Sequence, residues 1–233
     1  MDDPIPPTAD RVARRMYVLL AIAARALIDM NLSRGNTPAY RLDELHRWFE
    51  QLDIAEELEP AERRILYTPE QQLEQQEAIN SVWRLEGLVI LAWALHHAEL
   101  PTYDQLVETD ALLSTLSLLD APMSRHKLAF PELRSEDELC GYDDHIWTLD
   151  WRMVEYRLRP QPIEYAKVDF GWGNFDLSWA TLIDGDLALQ GTPICKADTG
   201  LVSMVSSAAL ERHKASNFLR GHAELYSDIT ADT

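Results

Sequence analysis

Residues 87–95, Gly-Leu-Val-Ile-Leu-Ala-Trp-Ala-Leu, run for more than two helical turns without a charged or amide side chain. A helix of that composition is apolar all round, so it has to be packed on every side. The run therefore predicts a long central helix surrounded by others. Its start is expected at Thr68-Pro69-Glu70-Gln71, where the Thr hydroxyl would accept from the Gln71 N–H and the Gln side chain would return the bond. Its end is expected near Ala98, before Pro101, with Trp83 and Trp93 buried along it.

The rest of the chain supplies the surrounding helices. Val12, Met16, Leu19, Ala23, Leu27 and Met30 recur at spacings of three and four, which predicts an amphipathic helix near 9–31 capped by Thr8 or Asp10. Its apolar stretch from Met16 to Ala24 lies between Arg15 and Arg25 and reads as a core helix, not an anchor. Leu42, Leu45, Phe49 and Leu52 predict a second helix, and Pro60 opens a short third one. One or two short helices should follow Leu106, ending before Pro122. Ser135-Glu136-Asp137-Glu138 is another capping word, opening a helix with Leu139, Tyr142, Ile146, Leu149, Met153 and Tyr156 on one face and Trp147, Trp151, Val154 and Leu158 on a second. Periodicity lapses from Pro160 to Phe175, and Gly171-Trp172-Gly173-Asn174 reads as a loop exposing Trp172. Asp184-Gly185 marks a two-residue hairpin turn. A last helix runs from about Asp198 to Leu219, stopped by Gly221. The fold class is thus mainly α: one domain over 1–233, many helices around a long central one, one small β-hairpin near 179–190, and tails at 1–8 and 222–233.

Charge and motif content exclude several functions. With 21 Lys plus Arg against 39 Asp plus Glu, the net charge is −18, which opposes nucleic-acid binding because counterion release needs a basic face. Cys140 and Cys195 are too few for a disulfide framework and lie in no metal-ligand spacing. His96 and His97 are adjacent, so on a helix they point about 100° apart and do not share a metal ion. No HExxH or Walker sequence occurs, and Gly171-Trp172-Gly173 lacks the third glycine of a dinucleotide loop. No cofactor or metal is expected. The opening MDDPIPPTAD is acidic and Pro-broken, unlike a secretory signal, so the cytoplasm is the expected setting, with no membrane partner.

Trp83-Arg84-Leu85-Glu86-Gly87-Leu88, Leu91-Ala92-Trp93-Ala94-Leu95, Leu133-Arg134-Ser135 and Glu211-Arg212-His213-Lys214-Ala215-Ser216-Asn217-Phe218-Leu219, with the closing Asp232-Thr233, carry a family resemblance. In their order and separation they resemble the bacterial domain-of-unknown-function 4272 family, from about residue 10 to the C-terminus. Ser216 and Phe218 stand where that pattern has an aliphatic residue and a Trp. The resemblance implies a helical fold and brings no activity with it. Some bacterial families of this kind accompany secreted toxins, which is an association and not a mechanism.

Two constellations are candidates for function. Trp83, Arg84 and Glu86 on the central helix and Glu211, Arg212, His213 and Asn217 on the last could surround a small pocket, with His213 or Glu211 as acid or base. The same residues read more readily as a buried hydrogen-bonded ionic cluster pinning two helices, and no nucleophile accompanies them, so the balance leans away from an enzyme. The second constellation is acidic. Residues 41–80 hold eleven acidic and four basic side chains, and residues 132–155 hold eight and two. Glu56, Glu57, Glu59, Glu136, Asp137, Glu138, Asp143 and Asp144 form a candidate face for a basic protein partner, a toxin in the most concrete case, since complementary charge speeds encounter and selects partners. The expected function is therefore protein binding, as an immunity protein occluding a basic toxin. The alternative is an enzyme or small-ligand protein using the polar cluster of the central and last helices.

Overall fold

The computed structural model describes residues 5–167 and 176–231. Eight α-helices dominate it: α1 (Ala9–Ser33), α2 (Leu42–Leu52), α3 (Pro60–Tyr67), α4 (Gln75–Ala94), α5 (Thr109–Thr115), α6 (Ala121–Ala129), α7 (Glu136–Leu158) and α8 (Thr199–Leu219). Between α7 and α8 lies a three-stranded antiparallel meander, β1 (Leu182–Ile183), β2 (Asp186–Leu189) and β3 (Thr192–Pro193). The loop at Gly171-Trp172-Gly173-Asn174 and the closing Asp232-Thr233 lie outside the described residues.

The helices pack in the order α1, α4, α8, α7, with α2 and α3 laid on α1 and α6 on both α1 and α2. The centre is a pair of helices and not α4 alone. From Met16 to Ala24 every residue of α1 is fully buried, and so are Leu88 and Ile90 to Ala92 of α4. By length and composition α1 alone among the described residues could cross a membrane. Its apolar surface is covered by the neighbouring helices, and it carries the buried Arg15 and Arg25, as a core helix does. Gly87 lets α8 approach α4: a Cβ there would stand 3.2 Å from the Glu211 carbonyl oxygen and 2.5 Å from the Tyr226 hydroxyl. A second, smaller core joins Ile146, Leu149 and Met153 of α7 to Leu187 and Leu189 of β2 and Val205 and Ala209 of α8. Tyr142 packs against both cores.

Local chemistry explains most helix ends. Thr8 caps α1 by accepting from the Arg11 N–H, Asp198 caps α8 through the Gly200 and Leu201 N–H groups, and Ser135 with Glu138 forms the expected box at α7. Four expectations need correction. Thr68 does not open the central helix; it ends α3, its hydroxyl donating to the Arg64 carbonyl, and α4 begins at Gln75. The cause is a clamp from α1. The Asp29 carboxylate accepts the Gln71 and Leu73 N–H groups at 2.8 and 3.2 Å, while Arg25, paired with Asp29 at 2.7 Å, donates to the Thr68 and Pro69 carbonyls. Gln71, its N–H already taken, sits at φ 61°. Pro122 starts α6 instead of bounding it, with Asp120 as its cap, as suits a residue with no N–H to satisfy. The hairpin gains a third strand because Gln190-Gly191, at φ 48° and 77°, makes a second two-residue turn like that of Asp184-Gly185. Finally, 222–231 is no tail: Tyr226 and Ile229 are buried, and the Tyr226 N–H donates to Glu59 at 2.7 Å.

The clamp makes a direct prediction. Removing the Asp29 carboxylate strands a buried guanidinium and two loop N–H groups, so Asp29→Ala should lose about 3–5 kcal/mol in a denaturant titration. Thr68→Ala should stay within about 0.5 kcal/mol of the parent, whereas a capping role would cost more.

Candidate functional site

Successive residues of a helix turn by about 100°, and on α8 this sends Glu211, Arg212 and His213 to three different junctions. Arg212 reaches Glu86 of α4, its Nε and Nη2 donating to Oε2 at 2.9 and 2.6 Å, and also donates to the Gln105 carbonyl at 2.6 Å. The other Glu86 oxygen accepts the Val107 N–H at 2.9 Å. Both side chains are buried, so the pair fastens α4, α8 and the segment leading to α5. His213 turns the other way, its Nδ1 lying 2.9 Å from the buried Asp150 of α7. Asn217 donates to the Thr230 carbonyl at 2.8 Å and holds the C-terminal segment. The seven candidate residues are not one acid–base site.

Three of them do share a pocket. Trp83, Arg84 and Glu211 line an opening of about 510 Å³ between α4 and α8, together with Glu59, Glu62 and Tyr226. Trp83 and Trp93, expected to be buried, are only partly so: Trp83 faces this opening, and Trp93 is covered in part by Arg134 at 4.9 Å and Tyr142 at 5.1 Å. The floor is an ionic network. Glu62 accepts from Arg15 with both oxygens at 2.8 Å and from Arg84 at 3.0 Å, and its carboxylate also caps α3 through the Glu59 N–H. Burial alone would lower the Arg15 pKa, but Glu62, Glu57 and Glu59 outweigh it and hold the guanidinium above its ordinary value.

That network removes two residues from the acidic face. The Glu57 and Glu59 side chains are 12% and 5% exposed and pair with Arg15 at 3.1 and 3.6 Å, so they point inward to neutralise an interior charge. Asp143 is partly buried and accepts from Ser216 at 2.6 Å. Glu56, Glu136, Asp137, Glu138 and Asp144 are exposed. Glu138 is committed to Ser135 and Arg134, and these bonds hold its carboxyl below the usual range. Sequence reasoning missed Arg15, Glu62 and Asp150, whose side-chain partners on other elements lie 22–63 positions away. Only the box position of Glu62, three residues after Glu59, gave a local signal.

Of the further openings among the described residues, two hold aromatic or histidine side chains of interest. One, of about 340 Å³, is ringed by Tyr103, Tyr142, His145 and Trp179. The other, of about 500 Å³, is lined by His96 and His97. His96 is exposed with φ 59°, while His97 is partly buried and its Nε2 has no hydrogen-bond partner.

Taken together, these features define a mainly helical protein whose buried ionic groups act chiefly as fasteners between elements. The family model described as a domain of unknown function (DUF4272) matches residues 2–169, and the chain belongs to that family. The match spans α1 to α7 and stops before the meander, so the resemblance drawn from Glu211–Leu219 and the closing Asp232-Thr233 lies beyond it. No curated protein and no protein of solved structure matches the chain significantly.

His97, partly buried and with its Nε2 unpartnered among the described residues, predicts an acid sensitivity. Desolvation first, then Lys127 and His96, lowers its pKa to about 4 from an ordinary 6.5. Between those values the unfolded chain binds a proton that the folded chain refuses, so stability is full above about pH 6.5 and is lost as pH falls toward 4. Urea midpoints measured between pH 7 and 5 should fall for the parent and flatten for His97→Gln. Equal slopes in the two proteins would show that His97 is freely protonated in the fold.

Proposed function

We propose that this is a protein-binding protein whose acidic exterior docks a basic partner, with occlusion of a basic toxin, as an immunity protein, its most concrete form. The observation that supports this is the start of α7, where Glu136, Asp137, Glu138 and Asp144 are exposed. Helix electrostatics accounts for carboxylates in the first turn, where the N-terminal dipole favours them, and Glu138 serves the cap. It does not account for Asp144, two turns further on. Asp137, Gly141 and Asp144 lie on one outward stripe, as residues four and three apart do. Among the described residues neither Asp137 nor Asp144 has a cation within 4 Å, and Glu136 has only Arg220 at 3.9 Å. Asp137 and Asp144 stand two turns apart with Gly141 between them, so a basic partner laid along that stripe would meet both carboxylates.

A second reading, a small polar ligand between the central and last helices, is favoured by one observation: Trp83, Arg84 and Glu211 line a single opening. Its carboxylates Glu59 and Glu62 are already satisfied by Arg15, Arg84 and backbone N–H groups, which leaves little charge for a ligand to use. Partner docking is therefore the better-supported function.

The test is capture from host extract at low and moderate salt with the parent and with Glu136→Lys, Asp137→Lys and Asp144→Lys combined. Glu138 is left in place because its loss would damage the cap. A basic protein should be captured by the parent, with association slowed about tenfold by the reversal and by raised salt, and with little change in melting temperature. Capture indifferent to both would leave the acidity as a solubilising surface.

A further inference from the structure

The opening ringed by Tyr103, Tyr142, His145 and Trp179 has no part in the docking surface. It lies where the two hydrophobic cores meet, with Tyr142 packed against both. Its volume of about 340 Å³ is at the small end of ligand pockets, which are largely apolar with a few converging polar groups. The rings form adjoining walls. Tyr103 and Trp179 stand at 84° with centroids 5.4 Å apart, and His145 lies against Trp179 at 5.5 Å. The hydroxyl of Tyr103 is committed to the Ala188 carbonyl, which fixes that wall to β2. Among the described residues nothing hydrogen-bonds the hydroxyl of Tyr142.

The charges around the opening have one sign left over. Arg212 reaches its edge, but the guanidinium is cancelled by Glu86 at 2.6 Å. Asp104 accepts from Thr102 and from the Gln190 N–H, both neutral donors. Asp176 accepts from the Ser178 N–H and faces His145 at 3.6 Å. Asp104 thus stands at the rim, with Asp176 behind His145, and among the described residues no uncompensated fixed cation opposes them. Aromatic faces attract cations through their quadrupole, more strongly when desolvated, and the two carboxylates add attraction for a cation and repel an anion.

From this geometry we propose that the opening walled by Tyr103, Tyr142, His145 and Trp179 binds a small organic cation, an alkylated ammonium carried on an apolar body. The apolar body sits against the hydrophobic wall and the ammonium lies among the rings, with Asp104 balancing its charge and Asp176 adding to the field from behind His145. The proposal is independent of the acidic docking surface on α7.

Titration calorimetry on the full chain with three probes tests it: benzyltrimethylammonium, its neutral carbon analogue neopentylbenzene, and benzenesulfonate. The cation should bind at least tenfold more tightly than the neutral analogue, and the anion should not bind. Trp179→Ala should weaken the cation tenfold or more, Trp179→Phe should retain most of the affinity, and Asp104→Asn should weaken it several-fold, with all three variants checked for an unchanged circular dichroism spectrum. The Glu136, Asp137 and Asp144 reversal should leave cation binding as it is. Equal affinity for the neutral analogue, no heat with any probe, cation affinity that survives Trp179→Ala, or binding abolished by the α7 reversal would each overturn the assignment.

Discussion

A guanidinium in an apolar interior has to be met by carboxylates, because the desolvation of an unmatched ion costs several kcal/mol. This chain buries four of them, Arg15, Arg25, Arg152 and Arg212, each no more than 3% exposed. Each is met in its own place: Arg15 by Glu57, Glu59 and Glu62, Arg25 by Asp29, Arg152 by Asp186, and Arg212 by Glu86. The pairs are positional. Glu62 brings α3 to α1 and, through Arg84, to α4; Asp29 and Arg25 shape the loop before α4; Asp186 fixes β2 against α7; Glu86 joins α4 to α8. Greasy surfaces alone allow helices to slide, but a buried ion pair has one satisfactory register.

The same pairs leave the exterior acidic. Among the described residues four arginines are buried against six carboxylates, Asp29, Glu59, Glu62, Glu86, Asp150 and Asp186, so the buried groups carry −2 of the formal −18 and −16 remains elsewhere in the chain. The interior takes up slightly more acids than bases and so relieves little of the excess. Acidity at the start of α7 and at the rim of the aromatic opening belongs to that remainder, and both proposed interactions draw on it.

Much of the helical frame was legible because the 3.6-residue period depends only on which side faces the core. It placed α1, α2, α7 and α8 within a few residues of where they lie, and the Ser135–Glu138 word marked a real cap. The identical logic failed at Thr68–Gln71, since Asp29 competes for the same N–H group from 42 positions away and a local word contains no information about that. Gln190-Gly191 was readable as a turn but was followed by only two strand residues, one of them Pro193. The candidate cluster divides for a different reason. The 100° step that separates His96 from His97 also separates Glu211, Arg212 and His213, and applying it there would have divided the cluster from sequence alone. The aromatic opening had no such signal, because Tyr103, Tyr142 and Trp179 come from a loop, a helix and the segment before β1.

If the polar residues of the central and last helices are fasteners, Glu86 and Arg212 must be coupled through stability. A double-mutant cycle with Glu86→Gln, Arg212→Met and the double variant, read by urea unfolding, measures this. The account predicts a loss of about 3–5 kcal/mol for each single change, because each strands a buried partner, and a double variant far less destabilised than their sum. Single variants that unfold within about 0.5 kcal/mol of the parent, or losses that simply add, would contradict it.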